Sequence, residues 1–174
     1  MLRHALTLPL LLCSFGTAAA AGPENRLDPY VLFVDEMRLS LTIEKPVLDR
    51  FGLDQSRLLG ALAERTAAIV REKNTRREVT TEEASAFLAC DPSDREYRVL
   101  HAHFAIGVSP GGDGLLIKGT SRKTCDVRSE GRYAAEVLVP ASMGDPAAVQ
   151  SAIVEGLTDY LTILAVPPEI KPYY

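Results

Sequence analysis

The sequence predicts an α+β fold, a two-layer α/β sandwich in which a mostly antiparallel sheet of four to five strands carries two main helices on one face. Three patterns predict it. Tyr30 to Ile43, after an apolar start through Val34, and Tyr97 to Ser109 alternate apolar and polar residues with the period of a strand that has one wet face. Leu58 to Val70 and Val149 to Leu164 place apolar residues at the three-and-four spacing of a helix with one buried stripe. Finally, a sheet with one apolar face and two one-sided helices satisfy each other when both helices cover the same side.

Taken in order, the chain opens on a leader pattern. Met1-Leu2-Arg3-His4 is a short basic start, Leu6 to Phe15 is apolar, and Ala18-Ala19-Ala20-Ala21-Gly22 offers the small residues of a signal-peptidase site. The apolar core is shorter than the roughly 20 residues of a bilayer crossing. The expectation is a signal peptide over residues 1–21, one globular domain over 22–174, a periplasmic or secreted location, and no transmembrane anchor after cleavage. Cys13 follows Leu12 rather than a small residue, so lipidation there is not expected.

Tyr30-Val31-Leu32-Phe33-Val34 begins a long first strand that alternates through Met37, Leu39, Leu41 and Ile43. Strict alternation would bury Asp35 beside Met37; a lone carboxylate is rarely buried, so a bend that frees Asp35 is expected. Asp54 caps a helix with the stripe Leu58, Leu59, Leu62, Ala63, Thr66, Ile69 and Val70. Arg76 to Val79 is a short strand, and Thr80 with Glu83 reads as a capping box for a short helix through Ala84, Phe87 and Leu88 that ends near Cys90.

Asp91-Pro92-Ser93-Asp94 is a loop. From Tyr97 onward Leu100, Ala102, Phe104, Ile106 and Val108 share one face, with Val99, His101, His103, Ala105 and Gly107 on the other. Pro110-Gly111-Gly112-Asp113-Gly114 then turns the chain into Leu115-Leu116-Ile117, a β-hairpin. Glu136 to Val139 is a further strand stopped by Pro140. Asp145-Pro146 starts the last helix, whose stripe is Val149, Ala152, Ile153, Leu157, Tyr160, Leu161 and Leu164 and which ends at Pro167-Pro168.

The 174 residues include 19 Lys plus Arg against 23 Asp plus Glu, a formal charge of −4, and 47% are hydrophobic. That balance excludes a disordered tail, a low-complexity fibre and a strongly basic nucleic-acid binder. The chain lacks G-x-x-x-x-G-K-[ST], H-E-x-x-H and the dinucleotide glycine fingerprint. The glycines at 111–114 join two strands and open no helix, so they form a turn rather than a phosphate cradle. Ser121 and Thr120 lie near Lys118 and Lys123, but without the S-x-x-K helical arrangement of a serine–lysine nucleophile.

Three groups of residues are candidates for a site. His101 and His103 project from one face of a strand and are two ligands for copper or zinc, with Met37 or Met143 as recruits for copper; two ligands alone are an incomplete set. Loss of the leader leaves Cys90 and Cys125, an even pair that an oxidising compartment would join as one disulfide. Arg122, Lys123, Arg128 and Arg132 form a loose basic stretch, either an anionic-partner patch for glycan, lipid headgroup or acidic protein, or a solvated face.

In element order the chain resembles the amino-terminal domain of TolB and related small envelope assembly proteins. The shared order is an apolar strand like Tyr30 to Val34, a helix like Leu58 to Val70, a short strand and helix like Arg76 to Leu88, a hairpin like Tyr97 to Lys123, and a final helix like Pro146 to Leu164. The family's first strand leads quickly to its helix, whereas here Thr42 to Leu53 intervene. The resemblance implies a non-catalytic protein that docks onto others, and no functional residue is carried over. The expected function is therefore an exported periplasmic or envelope protein-binding or assembly domain held by one disulfide, with an envelope protein as partner and no nucleic acid. The alternative is a periplasmic metal-binding protein using His101 and His103, and a weaker third reading is an envelope hydrolase.

Overall fold

The protein is described here by a computed structural model over residues 34–89, 98–112, 114–123, 131–139 and 144–166. The strands are β1 (Glu36–Ile43), β2 (Glu78–Thr81), β3 (Val99–Val108), β4 (Gly114–Arg122) and β5 (Gly131–Leu138). The helices are α1 (Lys45–Phe51), α2 (Gln55–Glu72), α3 (Ala84–Ala89) and α4 (Pro146–Ala165). The sheet order is β2-β1-β3-β4-β5. Two junctions are parallel, β1 with β2 and β1 with β3, and two are antiparallel, β3 with β4 and β4 with β5. The two-layer sandwich is present, and its sheet is evenly mixed because the chain leaves and re-enters beside β1 twice through helices.

One face of the sheet holds the core. Met37, Leu39, Leu41 and Ile43 of β1, Leu100, Ala102, Phe104 and Ile106 of β3, and Leu115 and Ile117 of β4 are buried. They meet Leu58, Leu62, Ile69 and Val70 of α2 and Val149, Ile153, Leu157, Tyr160, Leu161 and Leu164 of α4 in one cluster. The helix starts are those the sequence marks: Asp54 accepts from the Arg57 N–H at 2.9 Å, and Asp145 from the Ala147 N–H at 3.1 Å.

Several boundaries differ from expectation. β1 begins at Glu36, because the chain bends at Asp35, which sits at the surface in an ion pair with Arg98. Residues 30–33 lie outside the described part. α1 occupies the stretch left unassigned between the first strand and α2. Only Val47 and Phe51 of its seven residues are buried, so it shows no repeated stripe, although Pro46 near its start and the left-handed Gly52 after its end are helix punctuation. β5 starts five residues before Glu136; its outer positions Arg132 and Glu136 flank small Ala134, which dilutes the alternation. Thr80 and Thr81 belong to β2, and the Thr80 hydroxyl donates to Glu36 at 3.0 Å, so the expected capping box is not made.

The link from α2 to β2 closes the end of α4. Thr75 Oγ1 is 3.3 Å from both the Val70 and Ala165 carbonyl oxygens, and the buried Arg77 guanidinium donates to the Leu164 carbonyl. Burial lowers the pKa of Arg77 and nearby Asp35 raises it; an arginine stays charged, and the negative end of α4 suits that charge.

Close packing also fixes two glycines in opposite senses. A Cβ at Gly119 would sit 2.8 Å from the Tyr160 ring, which stacks on Tyr133 at 4.3 Å, whereas one at Gly60 inside α2 meets nothing within 4 Å. Gly119→Ala is expected to destabilise the fold by about 1–3 kcal/mol through overpacking. Gly60→Ala should stabilise it by about 0.5–1 kcal/mol through helix entropy. Urea unfolding of both variants checks the pair.

Candidate functional site

Alternation along the strands sends Ser40, His101, His103, Thr120 and Arg122 to the face opposite the core, as expected for the two histidines. The expectation of a mostly wet outer face does not hold over β1 and β3. α3 crosses there, and Phe87, its buried residue, comes down on the strands. The reason is topological. β1 to β2 and β2 to β3 both join parallel strands but run in opposite directions across the sheet, and two crossovers of the same hand must then take opposite faces. With α2 on the core side, α3 falls on the other.

Under α3 the polar groups satisfy one another. Ser40 Oγ and His103 Nδ1 are 3.0 Å apart, a hydrogen bond whose donor depends on the ring tautomer, and Ser40 has no exposed surface. The Phe87 ring stacks on His103 with centroids 5.0 Å apart and planes 20° apart. The Arg122 guanidinium lies 3.9 Å from the Phe87 ring centroid, cation–π geometry. His101 Nδ1 is 3.0 and 3.1 Å from the two Glu82 carboxylate oxygens; since a carboxylate only accepts, Nδ1 carries the proton. Beside them Glu36 accepts from Arg38 Nε at 2.8 Å and from Thr80, and the Arg38 bond chiefly holds the Glu36 carboxyl below its ordinary pKa.

The pKa of His103 is lowered, first by burial and then by the Arg122 charge, with Glu82 opposing. Its neutral form is therefore the one the fold accommodates.

These placements sort the candidates. Met37 is wholly buried on the core face, opposite the histidines, so it cannot join them on copper. Both Nδ1 atoms are engaged, by Glu82 and Ser40, which leaves the Nε2 atoms for any ion, and Arg122 stands beside them. Among the described residues no three His, Cys, Asp or Glu side chains are grouped to hold a metal. Met143, Cys90, Cys125 and Arg128 lie outside the described residues. Arg122 is packed onto Phe87, Lys123 is half-buried, and Arg132 is exposed on β5 opposite Thr120, so the basic stretch is not one solvated patch. Ser121 is buried on the core face while Lys118 is exposed on the other, so those two do not pair.

Ser40, Glu82 and Phe87 were not singled out by the sequence reading as partners of the histidines. Ser40 sits at an ordinary outward position, and only a decision to run β3 parallel to β1 places it beside His103.

No protein-family model matches the chain, and no curated protein does. Among solved structures it is similar to a PelC dodecamer from Paraburkholderia phytofirmans, with 12% identity and a TM-score of 0.42 over 76% of this chain and 91% of that one. A point variant of that dodecamer in another crystal form gives 10% identity and a TM-score of 0.43, covering 73% and 88%. A protein described as a neuraminyllactose-binding hemagglutinin homologue from Helicobacter pylori gives 8% and 0.41, covering 83% and 86%. A likeness at those scores transfers neither fold nor role to this chain.

Because His103 is harder to protonate folded than unfolded, its contribution is intact above the unfolded value, about 6.5, and is lost as pH falls from there toward the lower folded value. His103→Gln should flatten the thermal-stability profile between pH 7 and about 5; an unchanged slope in that variant would show that another group is responsible. Phe87→Ala should remove the stack and lower stability by about 3 kcal/mol or more, read by urea unfolding.

Proposed function

We propose that the chain is an exported, non-catalytic domain of the cell envelope that works by binding a protein partner. The observation that carries the reading is the closed state of the Ser40–His103 pair beneath α3. Ser40 is fully buried and bonded to His103, and Phe87 lies over that ring. A nucleophile must be reached by its substrate, and the Ser40 hydroxyl has no exposed surface through which one could approach. The cluster fixes a helix on a sheet, which is a structural task.

The leader pattern at residues 1–21 supports export, and among the described residues no helix is long and apolar enough to cross a membrane. The resemblance in element order to the TolB amino-terminal domain supports docking onto another protein, as fold-level analogy. Exposed Leu88 on α3 and Leu138 on the terminal strand β5 are apolar groups that a partner would cover. In vivo crosslinking of the envelope is expected to recover a specific protein partner. Turnover of an envelope substrate by the purified chain, with no partner recovered, would overturn the reading.

A Cys90–Cys125 disulfide fits this reading. Phe87 and Arg122, each three residues before one of the cysteines, are in direct contact. A bridge closing a loop of about 35 residues contributes roughly 3–4 kcal/mol in the chain-entropy account. Protein matured in an oxidising compartment should show no labelled thiol at either position, and Cys90→Ala should lower the melting temperature; labelling of both thiols in the native exported protein would refute the bridge. The metal alternative is tested alongside it: replacing His101 and His103 together by Ala should leave bound copper and zinc unchanged by metal analysis.

A further inference from the structure

The divergence of the two crossovers beside β1 has a second effect. At the carboxyl ends of β1 and β2 the chain departs to opposite faces, toward α2 from one strand and toward α3 from the other. Between such departing segments an open sheet leaves a crevice, the usual place for a ligand in α/β folds. Here it is a cleft of about 530 Å³, bounded by the first turn of α2 and the segment from Thr81 to Ser85. Its size is that of a site for a small molecule or a single large side chain.

Its chemistry narrows the occupant. The half-buried Leu59 gives a small apolar surface beside the Leu41 backbone, and Ser56, Thr81 and Ser85 bring hydroxyls. Gln55 donates its amide N–H to the Leu41 carbonyl at 2.9 Å, which leaves the amide oxygen as an acceptor. Glu82 and Glu83 add two carboxylates, and among the described residues no Lys, Arg or His lines the cleft. Glu82 is held by His101 and is only 10% exposed, so its charge is fixed in place, while Glu83 is exposed and accepts from Ser85 Oγ at 3.2 Å. The positive end of α2 is partly met by its own cap, Asp54. An anion would face two carboxylates with no basic side chain to receive it. A group with an aliphatic stem and a cationic head matches both the Leu59 surface and the acidic rim.

We propose that this cleft takes an arginine or lysine side chain of the partner protein. The inference rests on the partner-binding function above and names the partner's chemistry. Binding brings the guanidinium or ammonium against Glu83 and the hydroxyls, and the fixed Glu82 carboxylate sets the sign of the field it meets.

The test is an NMR titration of the full exported protein with Nα-acetyl-arginine amide and its neutral isostere Nα-acetyl-citrulline amide. Arginine should shift the amide signals of Gln55, Ser56 and Thr81 to Ser85, and citrulline should bind about fivefold more weakly or worse. Glu83→Gln, an exposed change that spares the core, should weaken arginine about threefold, in the range of an exposed ion pair. Ser56→Trp should block the cleft. Absence of shifts, shifts elsewhere, or equal binding of citrulline would overturn the proposal. Envelope crosslinking separates the two readings. A partner recovered with equal yield from wild type and Glu83→Gln defeats the cleft but not the partner-binding function. Arginine bound at the cleft in a protein that crosslinks to nothing upholds the cleft and defeats that function.

Discussion

Everything distinctive in this domain follows from β1 having two parallel neighbours. Parallel strands cannot be joined by a tight turn, so each pairing requires a crossover, and crossovers have one hand. Moving outward to β2 and back past β1 to β3 therefore sends α1 and α2 to one face and α3 to the other. The core-side helix, α2, has five buried residues; the other, α3, has one. That imbalance makes one face a hydrophobic layer and the other a sheet surface pinned at a single aromatic ring.

The polar cluster under α3 is the chemical answer to that small contact. With so little apolar area, α3 is held by specific pairings: Phe87 between His103 and Arg122, and Glu82 on His101 just before the helix begins. Each group is satisfied by another, which is what keeps burial of Ser40 and His103 from being costly.

How much of this was legible in the sequence depended on whether the signal was local. The stripes of α2 and α4 and the hairpin turn at Gly112 are set by neighbours in the chain, and they lie where period and punctuation place them. So does the shared face of His101 and His103, since alternation alone decides it. Strand order and direction are not written locally. Reading the sheet as mostly antiparallel hid Ser40 as the partner of His103. α1 escaped for a different reason: seven residues with two buried positions give no period to detect.

The chain order of the core elements has a consequence for biogenesis. α4, the last helix in the described chain, delivers Val149, Ile153, Leu157, Tyr160, Leu161, Leu164 and Ala165 to the interior. Until it arrives, a polypeptide synthesised from its amino end displays the bare inner surfaces of β4 and β5, greasy and ready to stick to its neighbours. A ribosome that stalls before residue 146 thus yields a fragment with that surface uncovered rather than a smaller working unit.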